Sequence, residues 1–297
     1  MYATGLGVPR DYAEALKWYR KAAGQGNAIA QFNLGIAYAN GQGVTTDLQT
    51  AGEWYRKAAQ QGDSVAQTAL GSMYLKGMGV EQNDKEAIKW FRKAAEQGDA
   101  MGQSLLGSMY ASGRGVAKDG LEAMKWYRKA AEQGNPTGQC LLGMAYRDGE
   151  GVEKNVTQAM AWLRKSANQG NEYAQCSMGF AYEGGNGVES DYVPAAEWYR
   201  KAAERGYPNA QVCLANCYYN GRGVNKSLVE AYAWFNLAAP YETSAEKNRN
   251  GLERVMSGRQ ISEAQARTRQ LQAMVEDKIS HDQMALRKAQ ALGQRKR

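Results

Sequence analysis

The chain has 297 residues, 43% of them hydrophobic, and a formal charge of +7. No apolar run approaches the roughly 18 residues of a membrane-spanning helix, so no membrane span is expected. Five of the seven excess positive charges fall from Glu242 onward, where twelve Lys/Arg face seven Asp/Glu. The charge therefore belongs to a solvated tail, and nucleic acid is not the expected partner.

At the start, Met1-Tyr2-Ala3-Thr4-Gly5-Leu6-Gly7-Val8 aligns with Ala37-Tyr38-Ala39-Asn40-Gly41-Gln42-Gly43-Val44. That is the middle of a unit, so the first unit lacks its front half. No charged segment followed by an apolar stretch precedes it. The compartment stays open: periplasmic or secreted if the full-length gene carries a signal peptide, otherwise cytoplasmic.

"KWYRKAA" at 17–23 returns as "EWYRKAA" at 53–59 and "KWFRKAA" at 89–95. All seven tryptophans (Trp18, Trp54, Trp90, Trp126, Trp162, Trp198 and Trp234) stand 36 residues apart. A fixed period of this size describes a linear core, one unit stacked on the next. Within 27–62, Ala30, Leu34 and Tyr38 share one face of a helix from about Ala28 to Asn40. Gly41-Gln42-Gly43-Val44 stops that helix, because glycine enters the left-handed conformation freely. Asp47 is placed to cap a second helix that runs through Trp54 to about Gln60 and ends at Gly62. Two antiparallel helices per 36 residues specify an all-α solenoid.

Gly35, Gly71, Gly107, Gly143 and Gly179 recur in mid-helix, with Ala215 in the sixth copy. Each such glycine costs about 1 kcal/mol relative to alanine, which points to a close approach of a neighbouring helix. The Ala22-Ala23 pair and its copies offer a complementary small surface. Trp18, Ala22 and their copies are expected to face inward, with Lys17 and Lys21 in water.

The pattern A-Q-x-x-L-G-x-x-Y-x-x-G-x-G-V, followed by D-x-x-x-A-x-x-W-Y-R-K-A-A-x-Q-G, resembles the Sel-1-like repeat family, a relative of the tetratricopeptide class. The match covers about residues 1–240, and "MSGRQISEAQARTRQL" at 256–271 resembles the segment that closes bacterial chains of this type. The resemblance implies a right-handed αα superhelix of helix-turn-helix repeats, acting as a protein-binding adaptor. It also implies a repeat domain at 1–240, with capping helices and a basic helical tail at 241–297.

Catalytic chemistry is not visible. Glycine loops such as Gly149-Glu150-Gly151-Val152 follow helices and lack the strand and lysine of a phosphate-binding loop. The single histidine, His281, lies in the tail, so the repeats contain no Ser/His or Cys/His system. Cys140 and Cys176 share one position in adjacent units, and Cys213 and Cys217 stand four apart without further metal ligands nearby. Cysteine-rich members of the family would place a disulfide cysteine near Gln139 rather than Cys140, so four small buried hydrophobes are expected. No enzyme, cofactor or metal is anticipated.

Function is then sought where the copies differ. Along each first helix the positions of Ile29, Phe32, Ile36 and Ala39 vary at one-face spacing, while the Gln, Leu, Gly and Tyr positions hardly change. Their later copies supply the candidate binding residues: Met101, Met144, Arg147, Tyr173, Phe180, Glu183, Asn209, Asn216 and Tyr219. If the first helices line the inner curve, these pave a concave groove for a peptide or protein segment. Leu106, Tyr110, Trp126 and Trp162 are expected to be buried. The alternative functions are an exported inhibitor, such as an immunity protein neutralising a toxic effector, and, disfavoured, an enzyme.

In the last phrase, "AWFNLAA" at 233–239, Asn236-Leu237 replaces the usual Arg-Lys. A cap over this face is expected from Ser244–Met256, through Leu252, Val255 and Met256. Ile261, Ala264, Leu271, Val275 and Ile279 are spaced for one face of a terminal helix that docks by its first half and projects by its second, with "GQRKR" frayed at the end.

Overall fold

The helices end where the sequence places its caps. Asp47 is extended, and its carboxylate accepts from the Thr50 N–H; Gly41 closes the preceding helix at φ 67°. The same two devices recur through most of the chain, although Tyr207 and Glu242 precede their helices without a side-chain cap bond. The computed structural model describes the chain apart from residues 1, 4, 6 and 294–297 and the side chains of 283–293. The fold is all-α. Among the described residues there are fifteen helices and no strand, and no helix is long and apolar enough to cross a membrane.

The chain divides into two compact units, Met1–Lys154 and Asn155–Arg297. The first holds α1 (Tyr12–Gly24), α2 (Ala28–Asn40), α3 (Leu48–Gln60), α4 (Ser64–Lys76), α5 (Asp84–Glu96), α6 (Ala100–Ser112), α7 (Gly120–Glu132) and α8 (Pro136–Asp148). Each packs on the next in chain order, and α4, α6 and α8 also touch in sequence. This is a solenoid of helix pairs.

The mid-helix glycines have a definite task. A Cβ built on Gly35, Gly71 or Gly107 would lie 2.6–2.7 Å from the ring of Tyr55, Phe91 or Tyr127. The residue after Trp54, Trp90 and Trp126 thus lays its ring on the bare backbone of the helix before it. Tyr55 is 8% exposed, Phe91 0% and Tyr127 3%. The alanine pairs serve a different contact, since Cβ atoms on Gly102 and Gly138 would meet Ala94 and Ala130 at the start of the next first helix.

Trp90 and Trp234 are buried as expected, but other tryptophans, Trp162 among them, correct the sequence expectation. Trp126 is only half-buried and Trp18 is 55% exposed. Trp54 packs on the preceding unit's cluster around Leu16 and Ala23, and Trp90 on the one around Phe32 and Tyr55. In the first six copies a lysine three residues on covers the indole: Lys57 stands 4.0 Å over Trp54 and Lys129 4.2 Å over Trp126, a contact worth about 0.5–1 kcal/mol at exposed sites. Lys17 and Lys21 are exposed as expected, and Lys21 lies against the Trp18 ring while remaining in solvent. Tyr110 is half-buried for a related reason: its hydroxyl reaches out to accept from Arg92 at 2.9 Å. Arg56–Tyr74 and Arg128–Tyr146 repeat that bond.

The invariant glutamine ties units together. Gln67 donates to the Ala59 carbonyl of the preceding unit at 3.1 Å and accepts from Gln97 of its own unit at 2.8 Å; Gln103 repeats both bonds with Ala95 and Gln133. A buried amide with its donor and acceptor both engaged is a fixed register mark.

The second unit holds α9 (Val156–Asn168), α10 (Glu172–Gly184), α11 (Tyr192–Ala203), α12 (Pro208–Asn220), α13 (Leu228–Ala238), α14 (Thr243–Glu253) and α15 (Gly258–Gly293). Tyr199 lies on Gly179 as its counterparts do in the first unit. The changed phrase at the end meets α14 and α15. Asn236 accepts from Arg249 at 3.0 Å, and Leu237 packs into the cluster that contains Leu252, Met256, Leu271 and Val275. Val255 departs from the expected cap and is 69% exposed. Helix α15 is held through Ala264, Leu271 and Val275, all buried, and further on by Lys278–Glu204 at 2.6 Å and Arg205–Asp282 at 2.7 Å. The expected frayed GQRKR end lies outside the described residues, apart from the backbone of Gly293.

Because the ring on the glycine, not the indole, is the fully enclosed one, Tyr127→Ala is expected to cost about 3–5 kcal/mol and Trp126→Ala about half that. Urea denaturation of the two variants measures the difference, and the reverse order would contradict this packing.

Candidate functional site

The variable positions separate by burial once the helices are placed. In the first, third and fourth columns the side chains are exposed or half-buried, but Phe32, Thr68, Ser104, Cys140 and Cys176 of the second column are buried. Thr68 Oγ1 donates to Asp99 Oδ1 at 2.8 Å and Ser104 Oγ to Asn135 Oδ1 at 3.2 Å. Those acceptors cap the next first helix, so this column belongs to the stacking and not to an open face. None of the nine candidate binding residues comes from it.

In the first unit, Met101 on α6 is 40% exposed. Met144 on α8 is half-buried, its sulfur 4.0 Å from Cys140 Sγ. Arg147 makes a two-pronged contact with its neighbour Asp148, 2.8 Å on each side, and that guanidinium holds the Asp148 carboxyl below the usual carboxylate range.

The second unit brings its candidates closer together. On α10, Tyr173 is 46% and Phe180 51% exposed, and Tyr219 on α12 is 45% exposed. Phe180 stands edge-on to Tyr199 with centroids 5.4 Å apart, and Tyr173 lies 5.6 Å from Tyr207. The Tyr199 hydroxyl donates to Glu183 Oε2 at 2.7 Å. One buried ring, seated on Gly179, thus supports Phe180 and orients Glu183. Burial first, and then the bond to Glu183, keeps that hydroxyl protonated well above the ordinary tyrosine range.

Phe180, Glu183 and Asn216 line one open pocket of about 300 Å³, with Asn220 and Arg222 on its edge. Asn216 and Tyr219 line another, of about 360 Å³, against Phe235, Leu252 and Val255. Asn216 is common to both. Asn209, exposed at the start of α12, lines neither. The comparison of copies missed Arg222, Lys247 and Val255, because the loop and α14 lie outside the varying columns. An apolar residue left unmatched in the cap was the one signal for Val255.

None of the four cysteines is in a disulfide. Burial pushes the Cys217 thiol up to about 12. The Cys213 thiol is pushed up by its bond to Cys176 and then by burial. Among the described residues no group of three or more His, Cys, Asp or Glu is arranged to hold a metal ion.

Residues 1–27, 28–63, 64–99, 100–135, 136–171, 172–207 and 208–239 each match the family model of the Sel1 repeat. A Sel1 repeat protein from Oxalobacter formigenes is 38% identical, the match covering 84% of this chain and 73% of that one at a TM-score of 0.69. An immunity protein from Pseudomonas aeruginosa is 22% identical over 72% of this chain and 81% of its own, at a TM-score of 0.52. A second immunity protein of that organism is 19% identical over 76% and 81%, at 0.50. These two likenesses show the fold alone. A comparison with curated proteins gives no match.

With a pKa of about 12, Cys217 is thiolate in only about one molecule in ten thousand at pH 8. Iodoacetamide followed by mass spectrometry is expected to leave it unmodified in the native chain and to modify it fully in urea. Rapid native labelling would contradict its burial.

Proposed function

The chain belongs to the Sel1 repeat family, and from that premise we propose that it is a non-enzymatic adaptor binding a peptide or protein segment along its first helices. Sel1 repeats are in general non-catalytic helical scaffolds of the protein-interaction type. The finer reading puts the contact on Met101, Met144 and Arg147 in the first unit, and on Tyr173, Phe180, Glu183, Asn209, Asn216 and Tyr219 in the second.

One observation carries this reading. Positions that vary from copy to copy expose three aromatic side chains on α10 and α12, two of which, Phe180 and Tyr219, line adjoining pockets, while the unvarying Gln, Leu or Met and Gly or Ala positions of the same helices are buried. Exposed aromatics held rigid from below make good anchors, because they bury much area at little entropic cost. Phe180 has that support in Tyr199. A peptide laid across the pockets would meet amides at Asn216 and Asn220 and charges of both signs at Glu183 and Arg222.

The inhibitor reading would place a toxic effector on the same face. Its support is the naming of two Pseudomonas aeruginosa proteins at 22% and 19% identity, which is a likeness of fold only, so the adaptor reading is preferred.

The test is a partner recovered on the immobilised chain, identified by mass spectrometry and then titrated against variants. Tyr173→Ala and Phe180→Ala are expected to weaken binding by about 1–3 kcal/mol each with little change in melting temperature. Should both variants bind as the parent does, or unfold as Tyr127→Ala is expected to, the face is not the binding surface.

A further inference from the structure

The pocket between α12 and α14 has features that the general adaptor reading does not use. Its floor is apolar, made by Phe235 at 2% and Leu252 at 3% exposure. Its rim carries two large apolar side chains left in solvent, Tyr219 at 45% and Val255 at 69%. Exposed apolar groups around an apolar pocket mark a surface that gains by being covered. Val255 is also the residue that the cap has no use for.

The charged side chain that lines this pocket is positive. Lys247 is the charged residue among its lining side chains, and the Lys226 ammonium lies 5.9 Å from the Tyr219 ring centroid. Arg222 stands in the adjoining pocket. The carboxylate on that side, Glu183, is already bonded by Tyr199, and Glu246, next to Lys247, faces Arg249 at 4.0 Å. An occupant is therefore drawn in by negative charge beside an apolar group.

We propose that the α12–α14 pocket takes a large apolar side chain of a partner peptide, with an acidic residue within two positions of it held by Lys247. The proposal rests on the peptide-binding reading and specifies its chemistry. Leu252 and Phe235 would contact the inserted side chain, Tyr219 and Val255 would close over it, and Asn216 would offer its amide to the peptide backbone.

Gly251 gives a clean way to block the site. It lines the pocket, and a Cβ built on it meets nothing within 4 Å, so a side chain there starts out in open space.

The experiment selects peptides from a displayed library of random 12-mers on the immobilised full chain. It then measures the selected peptides against Lys247→Glu and Gly251→Phe. Selected sequences are expected to place Leu, Ile, Phe or Met within two residues of Asp or Glu. Lys247→Glu should weaken them about fivefold and favour the same peptides with Lys in place of the acid, as for a partly exposed ion pair. Gly251→Phe should weaken them more than tenfold with the melting temperature kept. If peptides are selected and lose affinity with Phe180→Ala but not with either α14 variant, this pocket is excluded while the broader reading stands. If no peptide is selected, both fall. A chain that dimerises in sedimentation and is made monomeric by Gly251→Phe would overturn the proposal in favour of a second copy as the occupant.

Discussion

A ring laid on a bare helix backbone is the contact on which the stacking depends. Glycine in mid-helix costs about 1 kcal/mol, and the chain accepts this in five of its first helices. In return Tyr55, Phe91, Tyr127 and Tyr199 approach to distances that no Cβ would allow. Burying an aromatic side chain contributes about 1.5–3 kcal/mol, so the exchange favours the fold. It also fixes the distance between a first helix and the helix that follows it. The other recurring bonds between helices, Arg to Tyr and Gln to Gln, lie outside this contact and require its spacing.

The same contact reaches the candidate site in the second unit. Tyr199 is a core residue by burial and a supporting residue by position, since its ring carries Phe180 and its hydroxyl turns Glu183. The stack and the exposed face are thus not separate designs. Side chains that point outward from α10 are held by a side chain that packs inward from α11. Such support keeps an anchor rigid before a partner arrives, which reduces the entropy lost on binding.

Much of this was legible from the residues. The 36-residue period, the asparagine and aspartate caps and the left-handed glycines fixed the helices, because those signals act through neighbouring backbone alone. The side-chain order was harder to see. Trp126 and Tyr127 are adjacent and both aromatic, and periodicity does not say which one faces the glycine. The second variable column looked open, but Thr68 and Ser104 bond to caps 31 residues away, which no local pattern reveals. Val255 and Lys247 lie beyond the repeats, where the chain offers no internal copy for comparison.

A double-mutant cycle on Gly107 and Tyr127 tests the central contact most directly. If the ring rests on the backbone, Gly107→Ala lowers stability in the parent by about 1–3 kcal/mol, as an overpacked core does. In a Tyr127→Leu background the same change becomes neutral or favourable by up to about 1 kcal/mol, because only helix propensity remains. A Gly107→Ala variant that is more stable than the parent, with no coupling to position 127, would contradict the account.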